Sequence, residues 1–416
     1  MFEKLKKSGL FLPLIIGVFI RLILMPTTYH VDLLGHSFTA YFFAYESKLN
    51  PYEALAELPP NHPLVKNYGI ADIFIYPPIT YFTLGIFRIL IKPFVDPNFL
   101  PFLMANPSSI HSRPDLFLNL FLFKLPYLFI DTAIGFLLAG LFDDRKKKNV
   151  AFWLWMLNPV TLYATFMIGQ VDIMAVFFTV LALHFFKQNK FNWMLISLGI
   201  GGAYKMYPLL LLIPAAFLVG KDFFGKLKNL FIGLIPFVLT ILPYIGSSAF
   251  RYMVFSPKSQ KMLFMGWNLS GAEVIFPFIL ILGVIYLISY YSVVKKHLGY
   301  YFLSILLLIY SVTHYHPQWF VWVSPLLIWS LVKNNFKYWE IITGLVLVWL
   351  FITFCFEPSL SVGLFNPVNP ALEKLPGLAE LLDKYINVFQ YKSIARSLFA
   401  AGSLFIGYNY LKSSES

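Results

Sequence analysis

The chain has 416 residues, of which 58% are hydrophobic and only 12% are charged. A soluble domain carries about 25% charged residues, so the composition excludes a soluble enzyme, a disordered protein and a nucleic-acid-binding domain. The net charge of +12 comes from short cationic clusters between long apolar runs, which is the pattern of the positive-inside rule. The sequence therefore predicts an all-α, multi-pass protein of the lipid bilayer with no nucleic-acid partner.

The first cationic clusters predict where the chain crosses the membrane. A helix over residues 10–25 follows three lysines, which places the N-terminus in the cytoplasm. The cluster at residues 143–148 is also expected in the cytoplasm, so the chain crosses an odd number of times between this helix and that cluster. Residues 116–142 form one clear span, and residues 73–94 are then an interfacial or re-entrant element. Residues 26–115 become one large extracytoplasmic loop that carries juxtamembrane helices.

The apolar stretch of residues 193–219 is interrupted at its middle by Lys205 and Pro208, and it has lysines near both ends. This pattern predicts a broken hairpin of two short helices that meet near Lys205. A helix broken at membrane depth is tolerated only where it lines a protein or water cavity, so the broken hairpin indicates a site.

The remaining apolar runs alternate across the membrane and give about a dozen helices in one domain over residues 1–416. Core helices are expected in residues 116–246 and C-terminal helices in residues 247–416, with further extracytoplasmic loops at residues 247–272 and 357–392. The other predicted spans are residues 151–168, 173–186, 230–245, 274–294, 300–312, 320–331, 339–356 and 394–411.

Two acidic residues are candidates for chemistry at the extracytoplasmic face. Asp32 follows the first helix almost immediately, and it either acts as a general base or caps the following helix. Asp172 lies with Gln170 in a tight turn, and it either contributes to the site or caps the next helix. Both alternatives stay open for both residues.

Cations near the same face indicate an anionic ligand. Lys205 needs a partner at membrane depth, either Asp172 in an ion pair or the phosphate of a ligand. His316 and Gln318 follow His314 in one short string, in which phosphate or hydroxyl binding is favoured over a metal site.

The second extracytoplasmic loop carries cations against the positive-inside trend. These are Arg251, Lys258 and Lys261, and an anionic headgroup would explain them.

Charged residues inside the helices of the N-terminal half are interpreted as structural. Lys124 and Asp131 are seven residues apart and share nearly the same helix face, which predicts a polar pair that faces the bundle interior. Arg21, one turn before the end of the first helix, either snorkels to the membrane surface or contacts a phosphate, and snorkelling is favoured.

An acid and several cations around an outward-facing cavity suit a displacement in which a hydroxyl attacks a sugar and a phosphate leaves. The acid takes the proton, and the cations stabilise the leaving phosphate. Since sugar nucleotides are not available outside the cytoplasm, a lipid would carry the phosphate donor.

Short motifs in a consistent order give the chain a resemblance to a known superfamily. The motifs are Arg21, Asp32, Asn50-Pro51-Tyr52, Tyr76-Pro77-Pro78, Lys124 with Asp131, Leu157-Asn158-Pro159, Asp172, Lys205-Met206-Tyr207-Pro208 with Pro214, and Gln318-Trp319-Phe320 before Pro325. They cover residues 21 to about 325. With them the chain resembles the GT-C integral-membrane glycosyltransferases. Within that superfamily it is most similar to the catalytic subunit of glycosylphosphatidylinositol mannosyltransferase I and to bacterial relatives that use polyprenol-phosphate sugars.

The resemblance implies a GT-C-like bundle and an inverting transfer of a hexose, mannose above all, from a polyprenyl-phosphate sugar to an extracytoplasmic glycan or lipid acceptor. Asp32 would be the general base. His30 stands where the family motif usually has a second acid, so we predict no metal at the site and no cofactor beyond the lipid-linked sugar. The residues expected to bind the donor phosphate are Lys205, His316, Arg251 and Lys258. Those expected to shape the pocket are His30, Tyr76, Gln170, Asp172 and Gln318.

Two other classes of function also fit a dozen helices with buried charges. A secondary transporter or a lipid flippase would tend to show two matching halves with paired broken helices, whereas only one broken hairpin is evident here. A noncatalytic relative that assembles with a partner is the third reading. Richness in Phe, Lys and Ile points to an AT-rich prokaryotic genome and hence to a plasma membrane.

Overall fold

The computed structural model describes residues 9–69, 73–255, 261–292 and 298–412, and these residues are predominantly helical. Within these ranges the strands are one two-residue antiparallel pair, β1 (Trp267–Asn268) and β2 (Val274–Ile275). The predicted all-α class is therefore confirmed. Lys258, expected at the donor phosphate, lies outside the described residues, as do the lysines that precede the first helix.

Proline and asparagine set several helix boundaries. Asn50, for example, accepts hydrogen bonds from the backbone of Tyr52 and Glu53, while Pro51 takes the first helical position. The helices of the first part are α1 (Phe11–Thr27), α2 (Val31–Glu46), α3 (Pro51–Ala56), α4 (Pro63–Tyr68), α5 (Pro78–Ile91), α6 (Phe99–Ala105), α7 (Leu116–Gly140), α8 (Arg145–Met156) and α9 (Pro159–Thr161). A π-helical segment, Leu162–Ile168, continues from α9.

The second part of the chain is also predominantly helical. Its helices are α10 (Asp172–Lys187), α11 (Phe191–Tyr204), α12 (Tyr207–Val219), α13 (Phe223–Ile241), α14 (Ser248–Val254), α15 (Pro277–Tyr291), α16 (Leu298–Val312), α17 (Ser324–Lys333), α18 (Trp339–Phe354), α19 (Leu378–Leu382) and α20 (Val388–Lys412). The 3-10 segments are Lys92–Phe94, Pro107–Ser112, Leu242–Tyr244, Lys261–Phe264, Pro317–Trp322, Pro358–Leu360, Val362–Phe365 and Pro370–Lys374.

Three helical stretches of the described chain are long and apolar enough to cross a membrane, namely Leu116–Gly140, Arg145–Ile168 and Phe223–Tyr244. Two bent pairs would each add one span: α1 with α2 at 81°, and Pro78–Phe94 with α6 at 105°. Shorter apolar helices, α12, α15, α16 and α18, accompany them. The multi-pass class is confirmed, while the count of about a dozen spans and the orientation stay predictions.

Close helix packing holds the centre of the bundle. Helices α10, α11 and α13 pack in succession, and α16 packs along α20. A Cβ at Gly199 in α11 would lie 1.9 Å from the carbonyl oxygen of Gly233 in α13, so only glycine permits this approach. Ser304 in α16 donates to the carbonyl of Gly407 in α20 at 3.0 Å. Small residues thus let these backbones touch, as is usual for helices in a membrane.

Helices α5 and α6 both contact α7 near its beginning. The guanidinium of Arg88 in α5 lies 3.7 Å from the ring centroid of Phe123, and the ring of Phe99 in α6 lies 5.9 Å from it. Since Phe123 is in the first third of α7, both helices pack near that end of it. The interfacial or re-entrant element expected for residues 73–94 stays a prediction.

Arg21 is not at the membrane surface but fully buried in the bundle, so the snorkelling prediction was wrong. Its Nε donates to Asp131 Oδ2 at 2.6 Å, and its Nη1 donates to the carbonyl of Met156 at 2.6 Å. A desolvated guanidinium needs such an anionic partner, and this one lies 110 residues away along the chain. Asp131 and Lys124 both face the interior, as predicted, but they have separate partners.

Candidate active site

Asp32 lies in the first turn of α2, directly after the bend that separates it from α1. The side chain of His30 caps this helix, because its Nδ1 accepts a hydrogen bond from the Asp32 backbone N–H at 3.2 Å. The carboxylate of Asp32 is therefore not the cap. It is 31% exposed, which leaves it accessible to a substrate.

Gln170 joins the acid to the rest of the site. Its Nε2 donates to Asp32 Oδ2, and its Oε1 accepts from the hydroxyl of Tyr76 at 3.2 Å. The preceding Gly169 has φ +86°, and a Cβ there would lie 2.9 Å from Leu33 Cδ1, so glycine allows the turn to pass next to α2. The turn thereby orients one oxygen of the acid and leaves Oδ1 free of this contact.

Tyr76 lies between the acid and Lys205. Its backbone carbonyl accepts from the hydroxyl of Tyr52 at 2.7 Å, which fixes the loop before α5. The Nζ of Lys205 lies 4.4 Å from the centroid of the Tyr76 ring, a cation–π distance. A continuous series of contacts thus runs from Asp32 through Gln170 and Tyr76 to Lys205.

Lys205 occupies the break between α11 and α12, where the charge pattern predicts the broken hairpin. Its Nζ lies 3.6 Å from Asp172 Oδ1, and the same oxygen accepts from Trp322 Nε1 at 2.6 Å. The ion pair, one of the two partners left open for Lys205, is therefore present. The lysine side chain is 14% exposed whereas that of Asp172 is 1% exposed, so the ammonium is the member that a ligand can reach.

Asp172 is the first residue of α10, but no side-chain cap was found at that helix start. Its carboxylate points into the bundle toward Lys205 and Trp322, and Oδ2 has no hydrogen-bond partner among the described residues. The capping alternative is wrong for Asp172, because the local turn directs its side chain into the bundle. A fully buried carboxylate already paired with a lysine is a poorer general base than the exposed Asp32.

Two tryptophans form an aromatic wall beside Lys205. The rings of Trp319 and Trp322 stack at 5.1 Å, and the lysine Nζ lies 5.7 and 5.8 Å from their centroids. Tyr207 stacks on Trp322 at 4.5 Å. Trp319 and Tyr207 appeared only as members of the motif strings, and Trp322 was not predicted. Trp319 and Trp322 are three residues apart, a spacing that puts them on one helical face.

His316 and Gln318 lie at the same wall. The His316 ring is 5.3 Å from that of Trp319, and both charged neighbours Asp32 and Lys205 influence its ionisation. Burial is the main cause that lowers the pKa of His316, so the imidazole is largely neutral at pH 7. Gln318 is buried, and its Oε1 has no hydrogen-bond partner within the described part of the chain.

Arg251 does not join this group. It is exposed on α14, and its Nη1 donates to the carbonyls of Ile245 at 2.7 Å and Gly246 at 2.9 Å, at the end of the preceding segment. Its role is a local cap of backbone oxygens, so we remove it from the candidate site. Of the four residues expected at the donor phosphate, the described structure places Lys205 and His316 together.

Lys124 connects the two segments that carry Asp32 and Gln170. Its Nζ donates to the carbonyl of Thr28 at 2.7 Å and to the carbonyl of Met167 at 3.4 Å. These carbonyls lie four residues before Asp32 and three before Gln170 in the sequence. The buried ammonium therefore acts as a tether between α1 and the π-helical segment.

An apolar cavity of about 530 Å³ has a wall that is hydrogen-bonded to the segment just before Asp32. Leu364, on its wall, accepts a hydrogen bond at its carbonyl from the backbone N–H of Tyr29, three residues before Asp32. The hydroxyl of Tyr163, another wall residue, donates to the carbonyl of Leu360 at 2.8 Å. The lining residues are Leu24, Pro159, Leu162, Tyr163, Met167, Trp349, Leu350, Thr353, Phe354, Ser361, Val362, Leu364, Phe365, Pro376, Gly377, Leu378 and Leu381.

His30 should make the stability of the protein depend on pH. Burial lowers the pKa of His30, against the opposing effect of the Asp32 carboxylate. The folded pKa lies below the unfolded value of about 6.5, so below that pH the unfolded state binds more protons and the free energy of unfolding falls. His30→Asn keeps a capping oxygen but cannot titrate.

We therefore expect His30→Asn to reduce the fall in the free energy of unfolding between about pH 6.5 and pH 5, measured by denaturant unfolding in detergent. Part of the fall should remain, because burial lowers the pKa of His316 as well. A variant as pH-sensitive as the parent protein would contradict the assignment of His30.

No three His, Cys, Asp or Glu side chains of the described ranges come close enough together to hold a metal ion. The site consists of one partly exposed acid, one buried acid paired with lysine, and neutral polar groups. Independence of a metal remains a prediction.

Comparison with known proteins gives one family. The family model of glycosyltransferase family 87 matches residues 127–270. This region is less than half of the chain; it includes Gln170, Asp172 and Lys205 but not Asp32 or Tyr76. The match to family 87 supports a membrane glycosyltransferase of the GT-C type. It does not extend to the more specific resemblance to glycosylphosphatidylinositol mannosyltransferase I. No curated protein matches the chain.

Proposed function

We propose that the protein transfers a hexose, with mannose as the first candidate, from a polyprenyl-phosphate sugar to an extracytoplasmic glycan or lipid acceptor. The observation that carries the proposal is the contact series from the partly exposed carboxylate of Asp32 to the ammonium of Lys205. A base and a cation at the two ends of such a series are what an inverting displacement at a sugar phosphate requires.

In the proposed reaction the acceptor hydroxyl oxygen attacks the anomeric carbon of the donor sugar. A new glycosidic C–O bond forms as the bond between that carbon and the phosphate oxygen breaks. Asp32 takes the proton of the hydroxyl, while the electron pair leaves with the polyprenyl phosphate, whose charge Lys205 stabilises. Attack from the face opposite the phosphate inverts the configuration, so a β-linked mannosyl donor gives an α-mannoside.

The apolar cavity supports a lipid-linked donor. Its wall is joined through Leu364 to the segment just before Asp32, so an isoprenoid chain in the cavity would hold its phosphate near the site. Burial of each CH₂ group stabilises such a complex by about 0.8 kcal/mol, so a few isoprene units suffice for tight binding. We propose a prokaryotic plasma membrane with the site at its outer face, in line with the positive-inside pattern.

The direct test is an assay with purified protein in detergent and radiolabelled polyprenyl-phosphate mannose, with a panel of octyl glycosides as acceptors. We expect labelled octyl glycoside and free polyprenyl phosphate in equal amounts, and an α-anomeric signal in the NMR spectrum of the product. GDP-mannose is the control donor and should be inert. In detergent a flippase or a noncatalytic relative would leave the donor intact, and an unconsumed donor would refute the proposal. Movement of intact donor between the leaflets of a vesicle would then identify a flippase.

The cavity assignment predicts a variant that discriminates between donors. Val362→Trp places an indole on the cavity wall and should raise KM for a long-chain donor by about tenfold, because lost burial of two CH₂ groups costs that much affinity. Val368→Trp is the matched control, since Val368 is exposed in the same region and does not line the cavity. Equal KM values for the two variants, measured by initial rates, would exclude the cavity as the lipid site.

A further inference from the structure

We propose that α5 and the 3-10 segment Lys92–Phe94 that follows it carry a second anion site, which binds the phosphate of an anionic lipid headgroup at Arg88 and Lys92. This inference does not rest on the proposed transfer reaction. It starts from Arg88, whose side chain lies inside the otherwise apolar helix Pro78–Ile91 and is 3% exposed.

Arg88 has no carboxylate partner among the described residues. Its guanidinium lies over the ring of Phe123, and its Nη1 is buried without a hydrogen-bond partner within those residues. By contrast, Arg21 in the same bundle is also fully buried and has Asp131 as its anion. A buried guanidinium is costly unless it is paired and hydrogen-bonded, so a partner supplied from outside the chain is expected.

A small cavity of about 20 Å³ lies at Arg88, with room for about one oxygen atom or water molecule. Tyr127, Ser37 and His36 also line it, and the buried His36 Nδ1 likewise has no hydrogen-bond partner in the described ranges. A guanidinium, two hydroxyls and an imidazole around one oxygen-sized space form a polar cluster that can receive a phosphate oxygen.

Lys92 extends the positive charge toward the surface of α5. It follows Arg88 by four residues, one helical turn, and its side chain is exposed with Nζ 4.5 Å from the ring centroid of Tyr45. The buried hydroxyl of Tyr45 has no hydrogen-bond partner in the described structure. One phosphate oxygen at Arg88 would leave the rest of the headgroup within reach of Lys92.

The side of this helical stretch that is turned away from the two cations is apolar and exposed, which favours a lipid over a free anion. Ile86, Ile89, Leu90 and Phe94 are between 45% and 66% exposed. A helical stretch with cations on one side and exposed apolar side chains on the other is typical of one that lies at the membrane interface, where acyl chains and anionic headgroups are both at hand.

The second site is separate from Lys205. The ring of His36 meets that of Tyr76 edge-on at 5.1 Å, and Tyr76 also carries Lys205 on its ring. The rings of His36 and Tyr76 therefore lie between Arg88 and Lys205. Two phosphates could bind at once, one at each site.

The test measures the thermal unfolding midpoint of the full chain in neutral detergent against increasing dioctanoyl phosphatidylglycerol. We expect the midpoint to rise for the unchanged protein, and the lipid concentration at half-maximal rise to be about tenfold higher for Arg88→Gln, which loses a charge-assisted contact. Lys221→Gln, at an exposed lysine before α13, is the matched control and should behave like the unchanged protein.

The same unfolding measurement with other additives and variants identifies the ligand. An equal rise with dioctanoyl phosphatidylcholine, or an unaltered response of Arg88→Gln, would overturn the site and leave a buried water as the partner of Arg88. An equal rise with inorganic phosphate at matched ionic strength would overturn the lipid as its occupant. Should Arg88→Gln fail to fold, Lys92→Gln replaces it, since Lys92 is exposed; an unaltered response of that variant would likewise refute the proposal.

Discussion

Asp32→Asn is expected to lower the rate of sugar transfer by about 10²- to 10⁴-fold, the usual contribution of a general base. The amide cannot take the proton of the acceptor hydroxyl. It keeps an oxygen that can accept from Gln170, so the turn after the π-helical segment should hold its place. Transfer is measured with polyprenyl-phosphate mannose under saturating donor, together with the unfolding midpoint in detergent.

Glu46→Gln is the matched control for this loss, because Glu46 is an exposed acid at the other end of α2. We expect it to retain full activity. If Asp32→Asn turned over at a rate within a few-fold of the unchanged protein, another group would have to be the base, and Asp32 would be only a structural partner of Gln170.

Lys205→Met is expected to lose both activity and stability. Removal of a cation that stabilises the leaving phosphate should lower the rate by about 10²- to 10³-fold. The same change leaves the carboxylate of Asp172 buried without its lysine, and removal of one partner of a buried pair destabilises a protein by about 3–5 kcal/mol. Activity and the free energy of unfolding are measured on the same preparation.

The double variant with Lys205→Met and Asp172→Asn separates these two effects. Removal of the unpaired charge should restore most of the stability, because the amide oxygen of the substituted side chain can still accept from Trp322. Activity should stay low, since the phosphate still has no cation. Recovery of activity together with stability would show that Lys205 is structural and would remove it from the mechanism.

The sequence predicted the parts of the fold that depend on local pattern. Apolar runs and cationic clusters located α1, α7 and α13, and the interruption at Lys205 located the break between α11 and α12. The same charge logic identified Lys205 and Asp172 as possible partners, because a buried ammonium requires an anion.

Contacts between residues far apart in the sequence could not be predicted from local pattern and charge. Arg21 was expected at the surface because it lies one turn before the end of the first predicted helix, yet helix packing brings it to Asp131. Arg251 was expected at the donor phosphate because it is a cation on a predicted extracytoplasmic loop, against the positive-inside rule. Instead, its guanidinium donates to a backbone carbonyl of the preceding segment. The sequence shows only the need for a partner, whereas the packing decides which partner is near.

The aromatic wall was missed for a related reason. Nine tryptophans in a membrane chain are expected at helix ends whatever their function, so Trp322 had no distinguishing signal. The contact of its indole N–H with Asp172 and the stacking of its ring on Trp319 and Tyr207 show that it belongs to the site.

The measurement that tests the central claim most directly is a cryo-electron microscopy map of Asp32→Asn with polyprenyl-phosphate mannose bound. We expect the donor phosphate within about 4 Å of Lys205 Nζ, a salt-bridge distance, with the isoprenoid chain in the apolar cavity and the anomeric carbon facing the substituted side chain at position 32. A phosphate bound away from Lys205, or a sugar whose anomeric carbon has no open path from residue 32, would contradict the account.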